Sequence, residues 1–198
     1  MIHSHALVDD PQAIPADTNV WAFAHVMRGA RVGRGCNIGD HAFIESGAVV
    51  GDRVTIKNAV LVWEGIRIED DAFIGPAVTF TNDRYPRSPR MHPTPPRYAD
   101  KADWLVKTTV GRGASIGAGA ILCPGVHLGR YSMVAAGSVV TQDVECYSLV
   151  MGSPARQVDY VCRCGQKLAG HYLHCDCSVC GETAASRVHP NAAASATP

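Results

Sequence analysis

An aliphatic or aromatic residue stands at every sixth position from Val8 to Phe80: Val8, Ile14, Val20, Val26, Val32, Ile38, Ile44, Val50, Ile56, Val62, Ile68, Ile74 and Phe80. The rhythm returns at Val110, Ile116, Leu122, Leu128, Val134 and Val140, and the interval from Phe80 to Val110 is again a multiple of six. A period of six suits neither the 3.6 of a helix nor a heptad, but it fits a short strand plus a corner, repeated. The chain therefore reads as a solenoid with one insertion, and the interruption is the place to look for chemistry.

Two residues before a marker the side chain is usually small or β-branched, as at Ala24, Ala30, Cys36, Ala42, Ala48, Val54, Val60, Ala72, Ala114 and Ala120. Residues i and i−2 of a strand share a face, so both positions point into a narrow interior. Many markers are followed by glycine: Gly33, Gly39, Gly51, Gly75, Gly111, Gly117 and Gly129. Glycine tolerates positive φ, which a tight corner requires. Three sides close a triangular coil of about 18 residues, and stacked coils pair strands at ~4.8 Å. The nineteen marked hexads make about six coils, a prism roughly 30 Å tall in which each coil supports only its neighbours.

Runs such as IGDHAF, IGAGAI, LGRYSM and VAAGSVV, with the ending VMGSPAR, resemble the hexapeptide-repeat acyltransferases over about residues 5–157. The resemblance implies an all-β fold, a left-handed parallel β-helix. The left hand comes from that family, because crossover connections otherwise favour the right-handed sense. The expected organisation is a β-helix acyltransferase domain over 1–157 with an inserted loop at 81–109, a small zinc-ribbon-like appendage over 158–182 and a disordered tail over 183–198.

Lys plus Arg and Asp plus Glu are equal at 18 each, so no net field favours nucleic acid or an anionic membrane. The N-terminus MIHSHALVDDPQ has neither a basic nor an apolar leader region, and no stretch approaches the ~20 apolar residues that span a bilayer. A cytoplasmic protein is expected, with neither nucleic acid nor membrane as partner. In a reducing compartment the eight cysteines are not disulfides, and clustered thiols serve metals. Cys36, Cys123 and Cys146 read as structural thiols.

The insertion TNDRYPRSPRMHPTPPRYADKADWLVKTT carries five prolines, six Arg or Lys and three Asp. A long irregular excursion from a compact repeat is functional or disordered, and Tyr85, Tyr98 and Trp104 argue for order. Arg84, Arg87 and Arg90 are able to fork onto diphosphate oxygens, against the alternative of a merely solvated loop.

Phe80-Thr81-Asn82-Asp83, together with the upstream EDDAFIGPAVTFTND, is similar to the N-acetyltransferases of nucleotide-linked 3-amino sugars in bacterial surface-polysaccharide and O-antigen pathways. The nearest resemblance is to the UDP-2-acetamido-3-amino-2,3-dideoxyglucuronate type, with the dTDP-3-amino-3,6-dideoxyhexose type close behind. It implies acetyl-CoA as cosubstrate and Asn82 hydrogen-bonding the sugar amine. No side chain need act as base, because departing thiolate takes the proton. If a protein base exists, Asp83 and Glu64 are the adjacent candidates, and His25 or His41 is a further candidate. The catalytic candidates are thus Asn82 and Asp83, and the substrate-binding candidates His25, Asn58, Glu64, Arg84, Tyr85 and Arg87. The resemblance also implies a homotrimer with inter-subunit active sites, pantetheine contacts near Ala118 and Ala136, and Arg156 near nucleotide phosphates.

Residues 162–180 read CRCGQKLAGHYLHCDCSVC. Cys162-x-Cys164 and Cys177-x2-Cys180, each followed by glycine and separated by a spacer of twelve, match the thiolate hairpins of structural zinc. Cys175, His171 and His174 are spare donors. Four closed ligands leave no open position, so the metal serves folding.

Three other readings compete. An O-acetyltransferase acting on a sugar or small hydroxyl acceptor shares the fold. A carbonic-anhydrase-type centre requires three converging histidines, but His25, His41 and His127 differ in hexad phase. A non-catalytic zinc-bearing scaffold is the third, and the Phe80-Thr81-Asn82-Asp83 motif weighs against it.

Overall fold

Each hexad is long enough for one two-residue strand and a bend, and Asn19–Val20, His25–Val26 and Arg31–Val32 form three successive sides of one coil. The computed structural model describes residues 1–188. Its strands stack into three sheets of seven, five and eight strands, and consecutive strands up to Ser148–Gly152 enter different sheets. Registers are parallel and step by one full coil, three hexads, as Val20 against Ile38 and Ile38 against Ile56. Ile74 pairs with Ile116, so the insertion is skipped without disturbing the stack.

The second residue of each two-residue strand of the coil points inward, and in Ile66–Ile68 and Thr108–Val110 the first and third do. Ile38, Ile44, Ile56, Ile74, Ile116, Leu122 and Leu128 are wholly buried, with Ala24, Ala42, Val60 and Ala120 beside them. Burying one such side chain contributes about 1.5–3 kcal/mol, and their stacking makes one continuous core. The outward residues of the seven-stranded face are Leu7, His25, Phe43, Leu61, Thr79, Ile121 and Val139.

The glycines after the markers have a different cause from the expected one. Their φ is not positive; that conformation falls two residues later, at Gly35, Gly113, Gly119 and Gly137, and also at Phe23, His41, Arg53, Ala59 and Ala77. Close approach is what excludes a side chain: a Cβ on Gly117 would stand 2.4 Å from the Ala136 nitrogen, and one on Gly51 would stand 2.8 Å from the Asp70 nitrogen.

The rhythm fails at both ends. Ile14 follows a 3₁₀ turn, Pro11–Ala13, instead of lying in a strand, and it is half-buried. In the last coil Val134 pairs with Val150, a shorter step than three hexads, and Val144 rather than Cys146 meets Leu128. Strand Ser148–Gly152 then turns back antiparallel to Ala155–Tyr160, which carries the sheet past the expected boundary at 157. The tail, expected to be disordered from 183, instead forms a helical turn at Ala184–Val188 with Arg187 buried. The Arg187 carbonyl accepts a hydrogen bond from Arg130 of the prism at 2.8 Å. The remainder of that expectation lies outside the described residues. Among the described residues no helix is long and apolar enough to cross a membrane.

Candidate functional site

The inserted arm leaves the corner between the seven- and five-stranded faces, where Phe80 is buried and its carbonyl accepts the Trp63 indole N–H at 3.0 Å. The Thr81 hydroxyl donates to the Leu122 carbonyl at 2.8 Å. The neck closes through an antiparallel bridge between Asp83 and Leu105 and a Val106 N–H bond to the Asn82 carbonyl at 2.8 Å. Short turns at Pro96–Tyr98 and Lys101–Asp103 build the arm, and Tyr98 packs on Trp104 at 6.0 Å. The order expected from its aromatic anchors is present.

Asn82 sits half-buried at the root. Its carboxamide N–H donates to the Glu64 carbonyl at 3.1 Å, and that acceptor requires a donor, which fixes the amide orientation. Its Oδ1 has no hydrogen-bond partner among the described residues, so one acceptor of the half-buried carboxamide is left free. That is the atom an amine N–H needs.

Asp83 is engaged within the arm. It accepts from the Tyr85 N–H at 2.9 Å, the Arg97 guanidinium at 2.7 Å and the Tyr98 hydroxyl at 2.8 Å. Burial alone would raise its carboxyl, but these donors prevail and hold it below the ordinary value. Glu64 is committed too: Lys101 grips both its oxygens at 3.0 and 2.9 Å, and its own N–H donates to Glu45 at 2.7 Å. Asp83 is thus the latch inside the arm, and Glu64 ties the arm to the prism.

Arg84 donates to the Pro124 carbonyl at 3.1 Å, clamping the root to the next coil. Arg87 donates to its neighbour's carbonyl, from Nη1 to Pro86 at 3.1 Å, while Tyr85 stands 72% exposed. The expected diphosphate fork of Arg84, Arg87 and Arg90 is not assembled in this arrangement.

Other candidates lie elsewhere. His25 faces outward beside Phe43 and lies 3.4 Å from Asp9. It is three strands from Thr79 in the seven-stranded sheet, about 14 Å at ~4.8 Å per strand. Asn58, Ala118 and Ala136 share the opposite edge of that face, where corner carbonyls link successive coils, as Gly137 N–H to Ala118 O at 2.9 Å and Ala77 N–H to Asn58 O at 3.0 Å. A Cβ placed on Gly119 or Gly137 would meet nothing within 4 Å, so this edge is bare. Beside it runs an apolar groove of about 490 Å³ lined by Phe73, Met133, Ala135, Ala136, Leu149 and Met151. Arg156 pairs in register with Met151, which places it at the end of that groove.

The cysteine module is separate, with its own small core of Cys162, Leu168 and Cys177 against Tyr160 and Tyr172. The thiols of Cys162, Cys164, Cys177 and Cys180 all lie within 4.8 Å of one another. Zn–S bonds of about 2.3 Å imply S···S edges of about 3.8 Å in a tetrahedron. The Cys162–Cys180 and Cys164–Cys177 edges are 3.4 and 3.7 Å, so the cage fits. Gly165 and Gly181 have φ of +87° and +72°, turning the chain after each pair. The Cys180 and Val179 N–H groups hold the Cys177 thiol down to about 6, whereas burial pushes Cys162 up. Cys175, His171 and His174 are not part of the cage.

Sequence reasoning missed Arg187, whose buried guanidinium donates to Glu182, to the Cys162 sulfur and to the Tyr172 and Cys175 carbonyls. A lone arginine in an aperiodic tail carries no signal for this role.

The periodic coil, its arm and its bare corner define a hexapeptide-repeat protein. Residues 107–142 match the bacterial transferase hexapeptide (six repeats), and residues 29–63 match the hexapeptide repeat of succinyl-transferase, so the chain carries the hexapeptide repeats of bacterial transferases. A dTDP-3-amino-3,6-dideoxy-alpha-D-galactopyranose 3-N-acetyltransferase of Aneurinibacillus thermoaerophilus is 52% identical over 62 residues, 31% of this chain and 32% of that protein. The bifunctional protein GlmU of Nitratidesulfovibrio vulgaris (strain DP4) is 31% identical over 176 residues, 76% of this chain and 32% of that protein. The chain therefore spans about a third of the length of these curated relatives. In solved structures the fold recurs in a mutant of GDP-perosamine N-acetyl transferase from Caulobacter crescentus, in complex with CoA and GDP-perosamine. That likeness has a TM-score of 0.58 at 24% identity, covering 71% of this chain and 56% of that one. It also recurs in the acetyltransferase domain of PglB from Neisseria gonorrhoeae with acetyl coenzyme A, at TM-score 0.55 and 20% identity, covering 79% and 56%.

Proposed function

We propose that this protein is an acetyl-CoA-dependent N-acetyltransferase acting on the 3-amino group of a nucleotide-linked sugar, in a cytoplasmic step of surface-polysaccharide synthesis. The observation that carries the reading is Asn82: a carboxamide anchored to the coil by its nitrogen and offering a free oxygen at the root of the arm. The 52% identical stretch shared with a dTDP-amino-sugar acetyltransferase supports the substrate class. The Asn82 oxygen accepts one amine N–H and aims the lone pair at the thioester carbonyl, a positioning effect. The N–C bond forms, the C–S bond breaks, and the amine proton passes to the departing thiolate, whose ordinary pKa near about 8.5 makes it a competent acceptor. This route needs no carboxylate base, which agrees with the engagement of Asp83 and Glu64.

The apolar groove and bare edge at Ala118 and Ala136 suit a pantetheine chain. That edge and Asn82 lie on opposite sides of one face, so completing a centre calls for an edge from another copy of the chain. A homotrimer with sites between subunits satisfies this requirement. The Cys162, Cys164, Cys177 and Cys180 cage holds structural zinc in the same reading.

Incubation with acetyl-CoA and a panel of UDP- and dTDP-3-amino sugars is expected to release free thiol and add one acetyl mass to at least one sugar. Acetylation of hydroxyl acceptors alone would favour an O-acetyltransferase, a class that includes the galactoside O-acetyltransferase of Lactococcus lactis, 30% identical over 89 residues. Silence across all acceptors would favour a scaffold. Asn82→Ala is expected to lower kcat by about tenfold or more, on the scale of losing a positioning group, with CoA affinity retained. An unchanged rate would remove Asn82 from the mechanism.

A further inference from the structure

On the five-stranded face, Arg31, Val49 and Arg67 stand in register on three neighbouring strands. Arg31 and Arg67 are exposed and flank the half-buried Val49, each one strand away at ~4.8 Å. Lys107, at the end of the arm, joins them around a groove of about 210 Å³ floored by Val49 and rimmed by Gly47 and Gly65. Among the described residues, no carboxylate pairs with Arg31, Arg67 or Lys107, whereas the cations around them are spent. Arg53 and Arg112 hold Asp71 at 2.6 and 3.0 Å, and Lys101 holds Glu64. The carboxylates nearest the groove are likewise engaged: Glu45 by the Glu64 N–H, Glu69 by the Arg112 N–H and Asp70 by the Asp52 N–H. Three cations without an ion-pair partner among the described residues therefore line one shallow pocket around Val49, between the glycines at 47 and 65.

Two guanidinium forks leaning over a small aliphatic floor suit an anion with several oxygens on adjacent centres, which they bracket from both sides. A single carboxylate leaves one fork unpaired. The groove adjoins the arm root: Gly65 directly follows Glu64, whose carbonyl anchors Asn82. We propose that Arg31, Arg67 and Lys107 bind the diphosphate of the nucleotide-linked sugar, on the five-stranded face beside Asn82. The assignment to a nucleotide sugar rests on the function proposed above; the preference for a diphosphate rests on the groove itself.

The test is equilibrium titration of the full chain with dTDP, UDP, inorganic pyrophosphate and CoA, comparing the native protein with Arg31→Gln/Arg67→Gln and Lys107→Gln. Both changes replace exposed side chains, so a matching melting temperature verifies the fold. The expected result is a tenfold or greater loss of affinity for pyrophosphate and both nucleotides in the double variant, a smaller loss in Lys107→Gln, and unaltered CoA affinity. Unaltered pyrophosphate and nucleotide affinity, or no binding of either by the native protein, would overturn the proposal. A loss confined to CoA would also overturn it, by assigning the groove to the coenzyme's phosphates. Diphosphate binding that depends on these arginines in a protein with no acetyl transfer would sink the function and leave the groove standing. Transfer with an unraised KM for the sugar nucleotide in the double variant would do the reverse.

Discussion

Cys177→Ser is expected to abolish metal binding by a protein that otherwise carries about one zinc per chain, and to release residues beyond Tyr160 while leaving the prism folded. Structural zinc in small thiolate modules supplies an apparent binding free energy of about 10–16 kcal/mol, and that energy is folding energy. The apolar core of the module is small, limited to Cys162, Leu168 and Cys177 with two tyrosines. Serine keeps the shape but supplies no thiolate, leaving three sulfurs gathered without a closed cage. The prism draws on its own separate core and each coil rests on its neighbours, so the loss stops at the hairpin. Metal analysis by mass spectrometry and limited proteolysis measure both effects. A native protein that is free of metal and equally resistant to protease through residue 188 would refute the cage.

Phe80→Ala is expected to cost about 3–5 kcal/mol, the range for truncating a buried phenylalanine. Phe80 is 1% exposed and lies in the last strand before the arm, packed over Leu122 of the next coil through a parallel register. Its removal opens a cavity where Trp63 and Thr81 fasten the arm to the prism. For a domain of this size about 1 kcal/mol shifts Tm by about 2–4 °C, so a fall on the order of 10 °C is expected by calorimetry. Hydrogen exchange is expected to rise first at Asn82, Val106 and Thr108, because a solenoid yields locally before it yields as a whole. Phe80→Leu, which keeps most of the volume, is expected to recover most of the loss. An alanine variant that melts with the native protein would show that this coil is not what holds the arm.

The coil itself was legible in the residues. Val20, Ile38, Ile56 and Ile74 mark one face because side-chain direction alternates strictly along a strand, and that depends only on local backbone geometry. The thiolate spacing and the site of the arm were legible for the same reason: each is a local departure from a local rule. The glycines after the markers were identified correctly as required but for the wrong reason. Gly117 is small because the backbone of the next coil, at Ala136, passes within a Cβ's reach, a clash that no single coil contains.

The candidate site divided along the same line. Asn82 and its neighbours fall at the arm root as expected, but the side-chain partners of Asp83, Glu64 and Arg84 are groups far along the chain: Arg97 and Tyr98, Lys101, and Pro124. A carboxylate read from sequence looks like a base until the donors that occupy it are in place. Nor did the tail announce that Arg187 would be buried among carbonyls supplied by Tyr172 and Cys175.

By itself, the order of residues determined the period, the three inward faces, the point of interruption and the pairing of thiols into two hairpins, because these follow from spacing along one strand or one turn. Tertiary structure alone decided which charges are spent and which stay free, and that Asn82 and the bare corner at Ala118 and Ala136 lie on opposite edges of one face. Electrostatic pairing and groove shape are properties of side chains brought together by stacking. In a parallel coil the residues that meet are those a full turn or an entire arm apart.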